Sequence, residues 1–198
     1  EKLVKLTLSK NNLTSINNIK FPPALMQLIV EENLLTNIDS CILPGKLSHL
    51  HLDCNIIEDI SDINFPIYLE SLSLSFNKLT DVNNVIFPFY LKNLDLSHNF
   101  ITDINLVELP YWLESLKIDN NQLIDNSEVV YPIYLELLDL SMNKLINVGI
   151  INGLNELTRL NLNDNASLNI NDIEYPKNLK KLNISKKQLI NNKCNYLF

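Results

Sequence analysis

The groups in this chain best suited to chemistry meet in one short stretch, His49-Leu-His51-Leu-Asp53-Cys54. Side chains alternate along an extended strand, so His49, His51 and Asp53 share one face. An HxH pair on a strand can hold a metal ion when a third ligand stands beside it. The positions 22 residues before and after the two histidines, which the repeat described below sets alongside them, are Gln27, Ile29, Ser71 and Ser73, and none is a good third ligand. His98 lies two strands further on, roughly 10 Å at ordinary strand spacing. That distance also separates it from Cys54 as the base of a nucleophile pair. The stretch therefore predicts surface histidines, with no metal, no cofactor and no catalytic residue. Three glycines supply no phosphate-cradling loop, and GxSxG, HExxH and paired CxxC are absent. No enzyme is expected.

The elements that position these residues repeat. Residues 65–79 read FPIYLESLSLSFNKL, and the same grammar returns at 109–123 and 131–145. The leucine that opens each LxxLxL falls at Leu3, Leu25, Leu47, Leu69, Leu91, Leu113, Leu135, Leu157 and Leu179, in steps of 22. Eight residues after the opener stands Asn11, Asn33, Asn55, Asn77, Asn99, Asn121, Asn143 or Asn165, with Lys187 in the ninth copy. Nineteen residues after it comes Pro22, Pro44, Pro66, Pro88, Pro110, Pro132 or Pro176, with Leu154 as the exception. Three columns in phase define a repeat array.

Each LxL is too short a strand to stand alone, so the copies must stack and pair in parallel. Alternation sends Leu94 and Leu96 inward and Asp95 outward. The asparagine amide can both donate to and accept from the backbone of adjacent coils, which satisfies groups that are costly to bury bare. Two further apolar columns, from Ile16 to Ile170 and from Ile19 to Ile173, suggest extended or 3-10 turns on the opposite side. Phe87 should fill a core corner and Pro88 should fix the re-entry of the chain. Leu154, Gly149, Gly153 and the shifted Ala166-Ser167-Leu168 predict an irregularity in repeats seven to nine.

The pattern LxxLxLxxNxL resembles the leucine-rich-repeat family over essentially the whole chain. Its period is similar to the short class of phosphatase regulators and bacterial internalins, with proline where those usually carry another leucine. The resemblance implies an α/β-type solenoid: a horseshoe with a concave parallel sheet of about nine short strands and an extended or 3-10 convex side. It also implies a protein-interaction module that binds a protein or peptide mainly on the concave face. A structural spacer or assembly element, or a regulatory arm of a larger receptor or kinase chain, is the alternative. Residues 1–198 form a single array, expected to be a segment of a longer chain.

Composition narrows the partner. A net charge of −7 argues against a general nucleic-acid binder, and no apolar run is long enough to insert in a membrane. Cys41, Cys54 and Cys194 make no disulfide framework. The cysteine-rich caps usual in extracellular members of the resembled family are missing, which tilts the compartment toward a reducing, intracellular one without fixing it. On the concave face Phe76, His98, Asn120 and Met142 form one row, with Asp95, Asp119 and Asp139 beside it. Apolar anchors flanked by acid predict a locally basic partner. A second candidate lies just before the opening leucines, where Tyr68, Tyr90, Trp112 and Tyr134 follow Ile67, Phe89, Tyr111 and Ile133. Both rows cannot enter one core corner, so one should be partly exposed, either as a rigidifying ring stack or as a binding strip.

Overall fold

A computed structural model describes residues 2–191. Nine three-residue strands form one parallel sheet: β1 Lys5–Thr7, β2 Gln27–Ile29, β3 His49–His51, β4 Ser71–Ser73, β5 Asn93–Asp95, β6 Ser115–Lys117, β8 Leu137–Asp139, β10 Arg159–Asn161 and β11 Lys181–Asn183. They stack in chain order with every residue set against the one 22 positions on. The middle residue of each strand from Leu28 to Leu160 is buried, and its neighbours are more open. This is the alternation that LxL requires.

The asparagines work as the period demands. Asn99 Nδ2 donates to Leu74 O of the preceding coil at 3.0 Å and to Leu96 O of its own at 3.1 Å. Its Oδ1 accepts from Leu79 N at 3.0 Å. The rungs from Asn33 to Asn143 repeat this two-coil clamp. Asn11, with no described coil before it, bonds only within its own. The ninth rung is not empty at Lys187. Gln188 supplies it one residue later: its Nε2 donates to Leu162 O at 3.0 Å while its Oε1 accepts from Ser185 N. Gln188 sits on helix α1, Lys186–Asn191, the one α-helix among the described residues. Cys194 lies outside them.

Each proline opens a turn rather than only ending one. The N–H of Leu91 donates to Pro88 O at 3.0 Å, and the same bond recurs at every proline of the column. The carbonyl of Leu154 accepts the same bond from Leu157 N at 3.1 Å, so the missing proline does not disturb the array. Phe87 is buried in the corner as expected. The convex side consists of single turns, apart from one 3-10 helix at Ile170–Asp172 and one pair of two-residue strands. An unforeseen column of turn formers runs along it. The side chains of Ser15, Asp59, Asp81, Asp103, Asp125 and Asn169 each accept from the N–H two residues on, the local bond that Ser, Asp and Asn offer in turns.

The irregularity begins one repeat earlier than expected. Strands β7 (Asp125–Asn126) and β9 (Asn147–Val148) pair as a second, two-stranded parallel sheet on the convex side. Asn126 replaces isoleucine in a core column and is fully buried. Its Nδ2 donates to the hydroxyl of buried Tyr131 at 2.7 Å, while its Oδ1 is buried without a partner. Gly149 closes the spot: a Cβ there would stand 2.8 Å from Asn126 O and 2.9 Å from Val129 O. Leu168 enters the core one residue late, as the shifted sequence predicts.

Candidate interaction surface

The row Phe76, His98, Asn120 and Met142 is not part of the strands. It lies beyond their C-terminal ends, where Lys10, Glu32, Cys54, Phe76, His98, Asn120, Met142 and Asp164 all have φ between 51° and 58°. This left-handed backbone turns the chain inward to place the next asparagine. For residues other than glycine and asparagine it is a strained conformation. The row stays in register, since each N–H still donates to the following coil. Phe76 stacks on His98 with ring centroids 3.8 Å apart, and Phe76 and Met142 are both exposed.

The acids beside this row are occupied by the fold. Asp95 and Asp139 point to the groove, yet each carboxylate folds back on the serine two residues on. Asp95 Oδ1 accepts from Ser97 N at 3.1 Å and Ser97 Oγ at 2.6 Å. Asp139 does the same with Ser141 at 3.0 and 2.6 Å. Lys117 pairs with Asp95 Oδ2 at 3.1 Å, and Asn161 donates to Asp139 Oδ2 at 2.9 Å. Although they face the groove, the side chains of Asp95 and Asp139 therefore also serve the fold. Asp119 is half-buried. Burial raises its carboxyl above the ordinary value, the hydrogen bond from Asn120 opposes this, and the charges of Asp139 and Asp95 push it further up. His98 approaches Asp119 at only 3.9 Å.

The other edge of the sheet behaves differently. Both rows before the opening leucines lie open, not one of them. Exposure runs from 38% at Trp112 to 62% at Tyr68, with Ile67, Phe89, Tyr90, Tyr111 and Ile133 between; Tyr134 is half-buried. The rings form a continuous rim. Trp112 stacks on Tyr134 with centroids 4.9 Å apart, Tyr68 on Tyr90 at 6.0 Å, and Tyr111 bridges the two rows edge-on to Trp112 at 5.2 Å. Glu70, Lys92, Glu114 and Glu136 follow the same four opening leucines. Glu70 and Lys92 pair at 3.8 Å; Glu114 and Glu136 have no salt bridge among the described residues.

Nothing prepares Cys54 as a nucleophile. Its thiol is raised by burial and then by the charges of Asp53, Glu32 and Glu31, the reverse of what an activated cysteine needs. His49 bonds Ser48 Oγ at 2.9 Å. His51 turns away from its partner in the HxH pair toward Glu31, a diagonal neighbour that column-by-column reading passes over. Among the described residues no helix is long and apolar enough to cross a membrane.

No family model and no curated protein matches the sequence. Solved structures do. YopM from Yersinia enterocolitica is 27% identical with a TM-score of 0.76, over 92% of this chain and 42% of that one. An internalin from Listeria monocytogenes is 25% identical with a TM-score of 0.74, over 96% and 58%. An internalin C2 from Listeria monocytogenes is 24% identical with a TM-score of 0.80, over 92% and 80%. The chain thus spans about half the length of the first two. Leucine-rich-repeat proteins serve in general as protein-interaction modules. Register, ladder and structural likeness together identify this chain as a leucine-rich-repeat solenoid with turns of 22 residues.

Proposed function

We propose that this chain binds a protein or peptide across the aromatic rim at the ends of its third to sixth repeats, and that the bound segment carries lysine or arginine. One observation carries the reading. The two rim positions hold Ile67, Tyr68, Phe89, Tyr90, Tyr111, Trp112, Ile133 and Tyr134 in four consecutive repeats, and nothing comparable elsewhere. The same positions are Pro23 and Ala24, Gly45 and Lys46, Asn155 and Glu156, and Lys177 and Asn178 in other repeats, which fold into the same coils. The fold therefore does not require aromatics there. An exposed apolar patch that the interior does not demand marks an interaction surface. Ring faces attract cations, and Glu114 and Glu136 beside them favour a basic segment over an acidic one.

The concave row is a second reading, favoured by the exposed Phe76–His98 stack and by Met142. A spacer, by contrast, would bind nothing at either place. Selection from a random-peptide display library separates the three. The parent should enrich peptides with lysine or arginine among apolar residues. Those peptides should be lost by Tyr90→Ser with Trp112→Ser and kept by Phe76→Ser with Met142→Ser. The opposite dependence transfers the function to the groove, and no enrichment favours the spacer.

A further inference from the structure

The first coils carry a cluster that neither the rim nor the groove uses. Glu31, His51 and Asp53 each offer a ligand atom, and these atoms lie within 4.8 Å of one another. His51 belongs to β3; Glu31 and Asp53 follow β2 and β3 in adjacent coils. We propose that Glu31, His51 and Asp53 form a binding site for a divalent first-row transition ion, with its remaining positions open to the groove.

Geometry is the first support. His51 Nδ1 stands 3.4 Å from Glu31 Oε1. Two ligand atoms each about 2.1 Å from a tetrahedral ion are separated by about that much. The third ligand atom, on Asp53, lies within 4.8 Å of both, so an ion would draw the Glu31 and His51 side chains toward it. The scaffold is the second support. Asp53 Oδ1 is held by Ser73 Oγ, by Ser75 N at 3.0 Å and by Ser75 Oγ at 2.5 Å. Such outer bonds fix a ligating carboxylate while its other oxygen stays free to bind. All three side chains are half-buried rather than splayed in solvent.

Charge is the third support. Lys10 pairs with the neighbouring Glu32 at 3.5 Å, whereas Glu31 and Asp53 have no lysine or arginine partner among the described residues. The ligand set of one imidazole and two carboxylates suits zinc, manganese, iron, cobalt or nickel better than calcium or magnesium, which take oxygen ligands. An ordinary ion pair between protonated His51 and Glu31 is the competing account, and it needs no metal.

Calorimetric titration of the full chain with zinc chloride near neutral pH decides between them, with magnesium chloride as the comparison. One zinc ion per chain is expected, with no comparable uptake of magnesium. His51→Asn and Glu31→Gln should each weaken binding at least about tenfold, and Ser75→Ala by a smaller factor. His49→Asn, His98→Asn and Cys54→Ser should leave it unchanged. Absence of zinc uptake by the parent overturns the site. So does uptake that survives His51→Asn, or that disappears with Cys54→Ser alone. Histidine NMR on the parent supplies an arm free of folding effects: zinc should shift the His51 ring signals and leave those of His49 and His98 in place, and the reverse contradicts the proposal.

Discussion

The asparagine ladder and the aromatic rim have the same period and opposite tolerances. Along the ladder one residue type recurs in eight of nine repeats, and the last repeat recovers the bond with Gln188. Along the rim, proline, glycine, lysine, alanine, glutamate and asparagine are all accommodated outside four repeats. The ladder side chain must satisfy backbone groups of two coils at once, and leaving those groups bare inside the core is costly. The rim side chain touches its neighbours and solvent. A column facing inward is thus fixed by the fold, and a local departure in an outward column is open to another use.

The largest break in this contrast should come from the ladder. Asn99→Leu strands Leu74 O, Leu96 O and Leu79 N together, and should cost about 3 kcal/mol. A melt that superimposes on the parent would show that the ladder is dispensable.

Next comes the buried Asn126–Tyr131 pair. Tyr131→Phe leaves Asn126 Nδ2 without its partner, at a cost of about 2 kcal/mol. Adding Asn126→Ile restores the apolar pairing of the fifth repeat, Ile104 with Leu109, and should recover most of the loss. Chemical denaturation of the single and double variants checks this; a double variant weaker than the single one would contradict it.

Asp95→Lys sits between the two regimes. It removes the bonds to Ser97 and sets a lysine against Lys117, so it should cost about 1 kcal/mol although its side chain faces the groove. An unchanged midpoint would return Asp95 to the free surface. Trp112→Ser should have the smallest effect on stability, below about 1 kcal/mol for the lost stack on Tyr134. A large drop in melting temperature would instead make the rim a structural ring stack.

Most of the architecture was legible because a solenoid writes its contacts into one period. Leu94, Asn99, Phe87 and Pro88 could each be placed from their columns alone. The rest depended on relations that cross columns. Gln188 lies one residue out of phase because α1 rotates its side chain into the vacant rung. Glu31 meets His51 diagonally. The groove acids Asp95 and Asp139 face outward in the period, but each serine two residues later is a signal for a local turn. Eight in-phase residues from Ser15 to Asn169 are Ser, Asn or Asp, and counting them would have revealed the convex turn column. Of the candidate surfaces, the rim was visible as aromatics out of place. That both its rows stay open follows from buried Phe87 and its column already filling the corner.

Trp112 makes the central claim directly measurable, because it is the only tryptophan in the chain and lies in the middle of the rim. Its fluorescence can be followed while the parent is titrated with a short peptide alternating arginine and leucine, at low and at high salt. If the rim is the contact surface, the emission should change saturably, the apparent affinity should fall as salt rises, and Glu114→Gln with Glu136→Gln should weaken the response. Emission that stays constant while the peptide binds, as followed independently by calorimetry, would place the contact elsewhere and contradict the account.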